Sequence, residues 1–248
     1  IAELQEKDFM RFSPWWEEHL REVRETVRLS EGEFPVGIPD VQENIDILAA
    51  MRGAQNLCYD LMDEPETVKT VLSRLEGAAD YCYDEMYRAV ALADGSSVFT
   101  AFAIWGSGRT AKVQCDFSAM ISPGAYREFV LPGLMRECAR LDHSLYHLDG
   151  PGALVHADAV LSIPSLQALQ WTSGAGQNDG GSEEWFPLYD KVMDAGKSLW
   201  IQIYEGEPCV WLERAKKIVR RYGTRGIYFV FAPCSVEDAA ALARGLKV

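Results

Sequence analysis

The sequence predicts a parallel α/β protein closed as a (β/α)8 TIM barrel, and three observations point there. From residue 33 to the C-terminus, short apolar β-prone runs alternate with amphipathic helical stretches, joined by short loops without hairpin turns. Successive parallel βα units produce that pattern. No G-x-G-x-x-G or P-loop pattern follows the expected strands, so the glycine-rich phosphate turn of a doubly wound sheet is missing. The unusual polar and aromatic residues fall at or just past the strand ends: Asp40, Trp105, Gln114, Asp116, His147, Asp149, Trp171, Glu205 and Cys234. A barrel collects its chemistry at those ends.

Each element has a local reason. Residues 3–12 and 14–29 read as helices, the second opened by Ser13 as N-cap and Pro14 at its first position. Trp15, Trp16, Leu20, Val23 and Val27 form its apolar stripe. Residues 33–38 read as a short strand that breaks at Pro39-Asp40, and 41–51 carry apolar residues at helical spacing. Asp63-Glu64-Pro65-Glu66 caps a long amphipathic helix over 67–93, and 97–105 reads as one buried strand. Residues 111–116 form a short strand, and Ser122-Pro123 opens a helix to about 141. Ser144-Leu145-Tyr146-His147-Leu148-Asp149 runs into Gly150-Pro151-Gly152, the way a buried strand ends in a loop. A helical segment 153–161, a strand 166–172, a glycine-rich loop 173–181 and a helix 185–195 follow. Strands 198–204 and 226–231 then alternate with helices 210–222 and 236–246. The chain reads as one domain, with helices over 1–32 and βα units over 33–248. Its barrel is incomplete at the N-terminal side, in keeping with a chain that opens at Ile1 in apparent mid-helix and continues upstream.

Composition narrows the function. With 48% hydrophobic and 25% charged residues, the chain can bury a full core. A formal charge of -13, without a dense Lys/Arg cluster, opposes binding to nucleic acid or anionic membranes. Cys58, Cys82, Cys115, Cys138, Cys209 and Cys234 lack paired spacing and read as free thiols of a cytoplasmic protein. No apolar run of about 18 residues and no basic-then-apolar leader is present. A small-molecule substrate is the expected partner, and a homodimer is compatible with the composition.

Side chains alternate across a strand, so His147 and Asp149 converge on one face. They read either as an acid/base or ligand pair or as a tie for the loop that follows. Gln114 and Asp116 share a face in the same way and suit substrate hydroxyl or amine binding, although Asp116 could equally cap a turn. Trp105 and Trp171 suit the walls of a pocket for a flat ligand or the filling of a barrel mouth. Glu205 suits a further ligand or general base, and Cys234 either a ligand or a small buried hydrophobe. Ser173-Gly174-Ala175-Gly176 could offer backbone N–H groups to an anion or form a mobile lid. His143 and His156 read as surface or interhelix residues.

From Phe34 onward the chain resembles the uroporphyrinogen decarboxylase superfamily. The resemblance rests on Phe34-Pro-Val-Gly-Ile-Pro-Asp40, on Met62-Asp-Glu-Pro-Glu66 and on Ile121-Ser-Pro-Gly-Ala-Tyr-Arg-Glu-Phe-Val-Leu-Pro132. It implies a TIM barrel and either of two activities. The decarboxylase branch, which belongs to porphyrin and heme biosynthesis, would bring an Arg-x-Ala-Gly-Arg segment and a His-Gly-Ile turn after the last strand. This chain lacks the first and has Ala232-Pro233-Cys234-Ser235 at the second. The corrinoid-linked methyltransferase branch binds zinc through a His-x-Cys-Gly strand end and a late cysteine. There His147, Gly150 and Cys234 match, while Asp149 departs from the pattern. That branch implies zinc held by His147, Asp149 and Cys234, with Asp116, Gln114 and Glu205 orienting the methyl donor or acceptor, Asp40, Trp105 and Trp171 around the substrate, and a corrinoid protein as partner. Replacing thiolate by carboxylate makes the ligand set harder. A metal-free alternative uses His147 and Asp149 as an acid/base dyad on a small polar substrate, and a non-catalytic binding barrel is a third reading.

Overall fold

The computed structural model describes residues 1–11, 13–41 and 43–246. The chain divides into two compact units. One comprises Ile1–Leu145 with Ile163–Leu166, and the other Tyr146–Ser162 with Gln167–Val248.

The first unit is mostly helical. After a short helix, Ala2–Gln5, come helices Pro14–Ser30, Asn44–Arg52, Ala54–Asp63 and Pro65–Val90. Strands β1, Ser97–Phe99, and β2, Ile104–Gly106, pair antiparallel, and β3 covers Thr110–Gln114. One apolar core joins Leu20 and Val23 of the Pro14–Ser30 helix to Met86, Val90, Phe99 and Ala111. A helical stretch then runs from Pro123 to Arg140, with a π-helical turn at Tyr126–Val130. Pro132 follows that turn; it lacks the N–H that would continue the α-helical ladder, and the wider turn accommodates the loss.

Two expected strands come out differently. Residues 97–105 are a hairpin, because Thr100–Phe102 form a 3₁₀ turn and Ala103 takes a left-handed φ of 49° that reverses the chain. Trp105 is thereby carried outward and is 63% exposed. Residues 33–38 form no strand beyond Ile38, which makes an isolated parallel bridge to Phe99 and donates its N–H to the Val98 carbonyl. Pro35 and Pro39 lack the N–H groups that a longer ladder needs. Gly37 is required there, since a Cβ would lie 1.8 Å from Thr100 Oγ1. Of the expected helix 3–12 only Ala2–Gln5 is helical, and Phe12 lies outside the described residues. Gln42, in the expected helix 41–51, also lies outside them.

The fourth strand, β4, covers His143–Asp149; its last four residues, Tyr146–Asp149, open the second unit. A 3₁₀ turn Pro151–His156 and helix Ala157–Leu161 follow. Then come β5 (Ala168–Thr172), helix Phe186–Asp194, β6 (Ser198–Ile203), helix Pro208–Tyr222, β7 (Ile227–Phe231) and helix Val236–Gly245. The β5 and β6 strands are parallel, Ala168 facing Ser198, and β6 runs parallel to β7, Leu199 facing Ile227. Leu199, Trp200, Ile201 and Ile203 are buried, as a strand covered on both faces requires. The strands follow the order β3-β4-β5-β6-β7. The fold is thus α/β with a five-stranded sheet in sequence order, compatible with part of an α/β barrel. No helix among the described residues is long and apolar enough to cross a membrane.

Candidate functional site

At the C-terminal end of β4, His147 and Asp149 present their side chains on one face, and a ring nitrogen of His147 and a carboxylate oxygen of Asp149 lie within 4.8 Å of each other. The turn that follows is held by the N–H of Gly150, which donates to the Thr172 carbonyl at the end of β5 (2.8 Å). Gly150 takes a left-handed φ of 75°, which a side chain would oppose.

Gln170 on β5 orients the imidazole. Its Nε2 donates to Thr172 Oγ1 at 2.9 Å, which turns its Oε1 toward His147, where it is hydrogen-bonded to Nδ1. An amide oxygen only accepts, so Nδ1 carries the proton and, in the neutral ring, Nε2 carries the lone pair. Such an outer hydrogen bond fixes the tautomer and ring plane of a histidine that binds a metal or takes a proton.

Other expected site residues in this unit have different surroundings. Trp171 points to the opposite face of β5 from Gln170; it is 2% exposed and packs edge-on to Trp185, with ring centroids 5.0 Å apart. Glu205 has its carboxylate 3.3 Å from Arg214 and its N–H on Asp179. Cys234 is exposed, in the rim of a shallow hollow with Phe231 and Leu242, so it is not a small hydrophobe filling the core. Its thiol is not among the donor atoms grouped with His147 and Asp149. His143 is exposed and His156 buried.

The glycine-rich loop has an anchor that the sequence did not reveal. Asp179, 0% exposed, accepts from the N–H groups of Gly181 (2.9 Å), Tyr204 (2.7 Å) and Glu205 (2.7 Å) and from Arg214 (2.7 Å). Its carboxylate ties the loop to the end of β6. A loop held this way is not a free lid at its C-terminal end.

In the first unit the end of β3 carries Asp116 and Gln114. Three side chains at the start of the Asn44–Arg52 helix pin the backbone there. Glu43 accepts from the Gln114 N–H, Asn44 donates to the Gln114 carbonyl, and Asp46 accepts from the N–H groups of Asp116 and Phe117. Burial raises the Asp46 pKa, while the two N–H donors oppose that rise. Gln114 Nε2 donates to Asp116 Oδ2 at 3.0 Å and Gln114 Oε1 accepts from Lys112 Nζ at 2.9 Å, so the three residues form one line along a strand face. Asp116 is exposed at its end.

Lys112 is 1% exposed, 2.7 Å from Asp40 and 3.5 Å from Glu43. Burial opposes its charge, but the carboxylates of Glu43 and Asp40 outweigh it and raise its pKa. Asp40 is therefore a partner of Lys112. A lysine inside the apolar run Thr110-Ala-Lys-Val-Gln114 was the available signal for this ion pair. Gln170, between Leu169 and Trp171, is its counterpart on β5.

No family model matches this chain, and no curated protein matches it. None of the six cysteines is joined in a disulfide.

Proposed function

We propose that this protein is an enzyme of the uroporphyrinogen decarboxylase type, with its chemistry at the end of β4, and that it carries out metal-assisted methyl transfer. The observation that supports this reading best is the Gln170–His147 hydrogen bond beside Asp149. It leaves an imidazole nitrogen and a carboxylate on one strand face, the first two ligands of an open catalytic site. For the third position we propose Asp116, an exposed carboxylate just past β3, with Cys234 tested against it. A set of one nitrogen and two oxygen donors fits zinc, and suits an oxygen-bearing acceptor better than a thiol. Bound there, a divalent ion would lower the pKa of an acceptor so that it attacks at neutral pH. His147 and Asp149 then hold and orient, Gln170 keeps the ring in place, and Gln114 positions Asp116. A corrinoid protein as methyl carrier follows from the family resemblance.

The test is the metal content of chelator-washed protein reconstituted with zinc, measured by elemental mass spectrometry on the parent, His147→Ala, Asp149→Asn, Asp116→Asn and Cys234→Ala. Near-stoichiometric zinc that is lost in the first three and kept in Cys234→Ala supports the assignment. Zinc that is lost in Cys234→Ala and kept in Asp116→Asn would return the third position to the thiolate. Absence of binding in the parent rejects metal-assisted transfer.

The second reading is a metal-free acid/base dyad on a small polar substrate. The tautomer set by Gln170 is compatible with it too, because Nε2 then carries the ring's lone pair. Decarboxylation of a tetrapyrrole is the weaker alternative, since Ala232-Pro233-Cys234-Ser235 stands where that branch would carry a His-Gly-Ile turn.

A further inference from the structure

Three helices of the first unit leave a cavity of about 350 Å³ between them and β3. The Asn44–Arg52 helix, the Pro65–Val90 helix and the Pro123–Arg140 stretch all contribute to its wall. Most of the wall is apolar, with Ile38, Ile47, Leu75 and Phe99 among its members. Four carboxylates, Glu43, Glu76, Asp80 and Glu137, and two arginines, Arg136 and Arg140, interrupt it.

We propose that this cavity binds a small primary amine with a short apolar body, its ammonium group held by Glu137 and Glu43. Pockets of this size, mostly apolar with few convergent polar groups, are what small ligands occupy. The charge balance selects the cation. Arg136 is engaged by Glu76 at 2.9 Å and by Asp80, and Arg140 lies 3.2 Å from both Asp80 and Asp84. Lys112 is taken by Asp40 at 2.7 Å and reaches Glu43 at only 3.5 Å. Glu137 is left without a hydrogen-bonded cation among the described residues, facing an apolar space. A half-buried carboxylate facing an apolar space is costly as an anion unless a cation joins it. Burial accordingly raises the Glu137 pKa to about 7, and the Glu43 carboxyl is held well above its usual range by burial and by Glu137. An anionic ligand would meet the same carboxylates and be repelled.

The probes are 2-phenylethylamine and its neutral counterpart 2-phenylethanol, titrated into the full chain by isothermal calorimetry. The expected result is one saturable site for the amine and binding of the alcohol weaker by at least about ten-fold, the loss of one charge-assisted contact. Glu137→Gln should weaken amine binding by a similar factor. Ala79→Leu, which fills the cavity, should abolish it, with near-ultraviolet circular dichroism confirming that both variants are folded. Equal affinity for amine and alcohol, binding that survives Ala79→Leu, or no saturable heat at millimolar amine overturns the proposal. The amine–alcohol comparison needs no variant.

Discussion

The side-chain oxygen of Gln170 meets Nδ1 of His147, and the same amide donates to Thr172, so one residue of β5 sets which nitrogen of a β4 histidine carries the proton in the neutral ring. Outer hydrogen bonds of this kind typically change metal affinity by about 10- to 100-fold when removed. Gln170→Leu is therefore expected to weaken zinc binding by a factor in that range, while His147→Ala abolishes it. Competition with a chromophoric chelator measures both, and an unchanged affinity in Gln170→Leu would show that the amide only fills space.

Asp179 is the strongest structural commitment near this site. Three backbone N–H groups and Arg214 converge on one carboxylate that has no exposure. Asp179→Ala leaves those donors buried and Arg214 without its nearer partner, a change that costs roughly 3–5 kcal/mol. Urea denaturation should report a loss of that size. A loss under about 1 kcal/mol, the range of a surface pair, would mean that water replaces the carboxylate.

Lys112 and Glu43 form a buried pair, linked through Gln114 to the backbone that carries Asp116. Groups that share one network are not additive. Removing Lys112 strands the Glu43 carboxylate, and removing Glu43 leaves Lys112 with Asp40 alone, so Lys112→Met and Glu43→Gln should each destabilise, and the double variant by less than their sum. A coupling energy of about 1–3 kcal/mol is expected from the cycle; strict additivity would sink the idea that the pair acts as a unit.

Glu137 imposes a sign on the pH dependence of stability. Burial pushes its carboxyl up to about 7 from the ordinary 4.5, so the fold favours the protonated acid. Its stabilising contribution is present below pH 4.5 and is lost as pH rises toward 7 and beyond. Relative to the parent, Glu137→Gln should gain stability across that window, by up to about 3 kcal/mol. Chemical denaturation of both proteins at the two ends of the window checks this, and a constant difference would contradict it.

Most helices and later strands were legible because burial leaves a periodic trace in the local sequence. The expected strand around His147 is β4, and the alternation from residue 198 onward is present almost residue for residue. The hairpin at β1 and β2 escaped for a physical reason. Ser97-Val-Phe-Thr-Ala-Phe-Ala-Ile-Trp105 is uniformly apolar or β-prone, and the reversal depends on a left-handed Ala103 in a run that contains neither glycine nor asparagine at the turn. Apolarity gave no cue for the turn. Trp105 and Trp171 illustrate the same limit from opposite sides: their local sequences do not separate them, and one is exposed on the hairpin while the other is buried against Trp185.

By itself, the sequence determined the α/β alternation, the net acidity of the chain, and the shared face of His147 and Asp149. Each of these depends on composition or on spacing within one element. Only the tertiary structure decided that Gln170 orients the imidazole, that Asp179 anchors the glycine-rich loop, that Lys112 is neutralised by Asp40 and Glu43, and that Glu137 faces an apolar cavity. Those partners come from separate elements, and hydrogen bonds and ion pairs between separate elements leave no period in the chain from which they could be read.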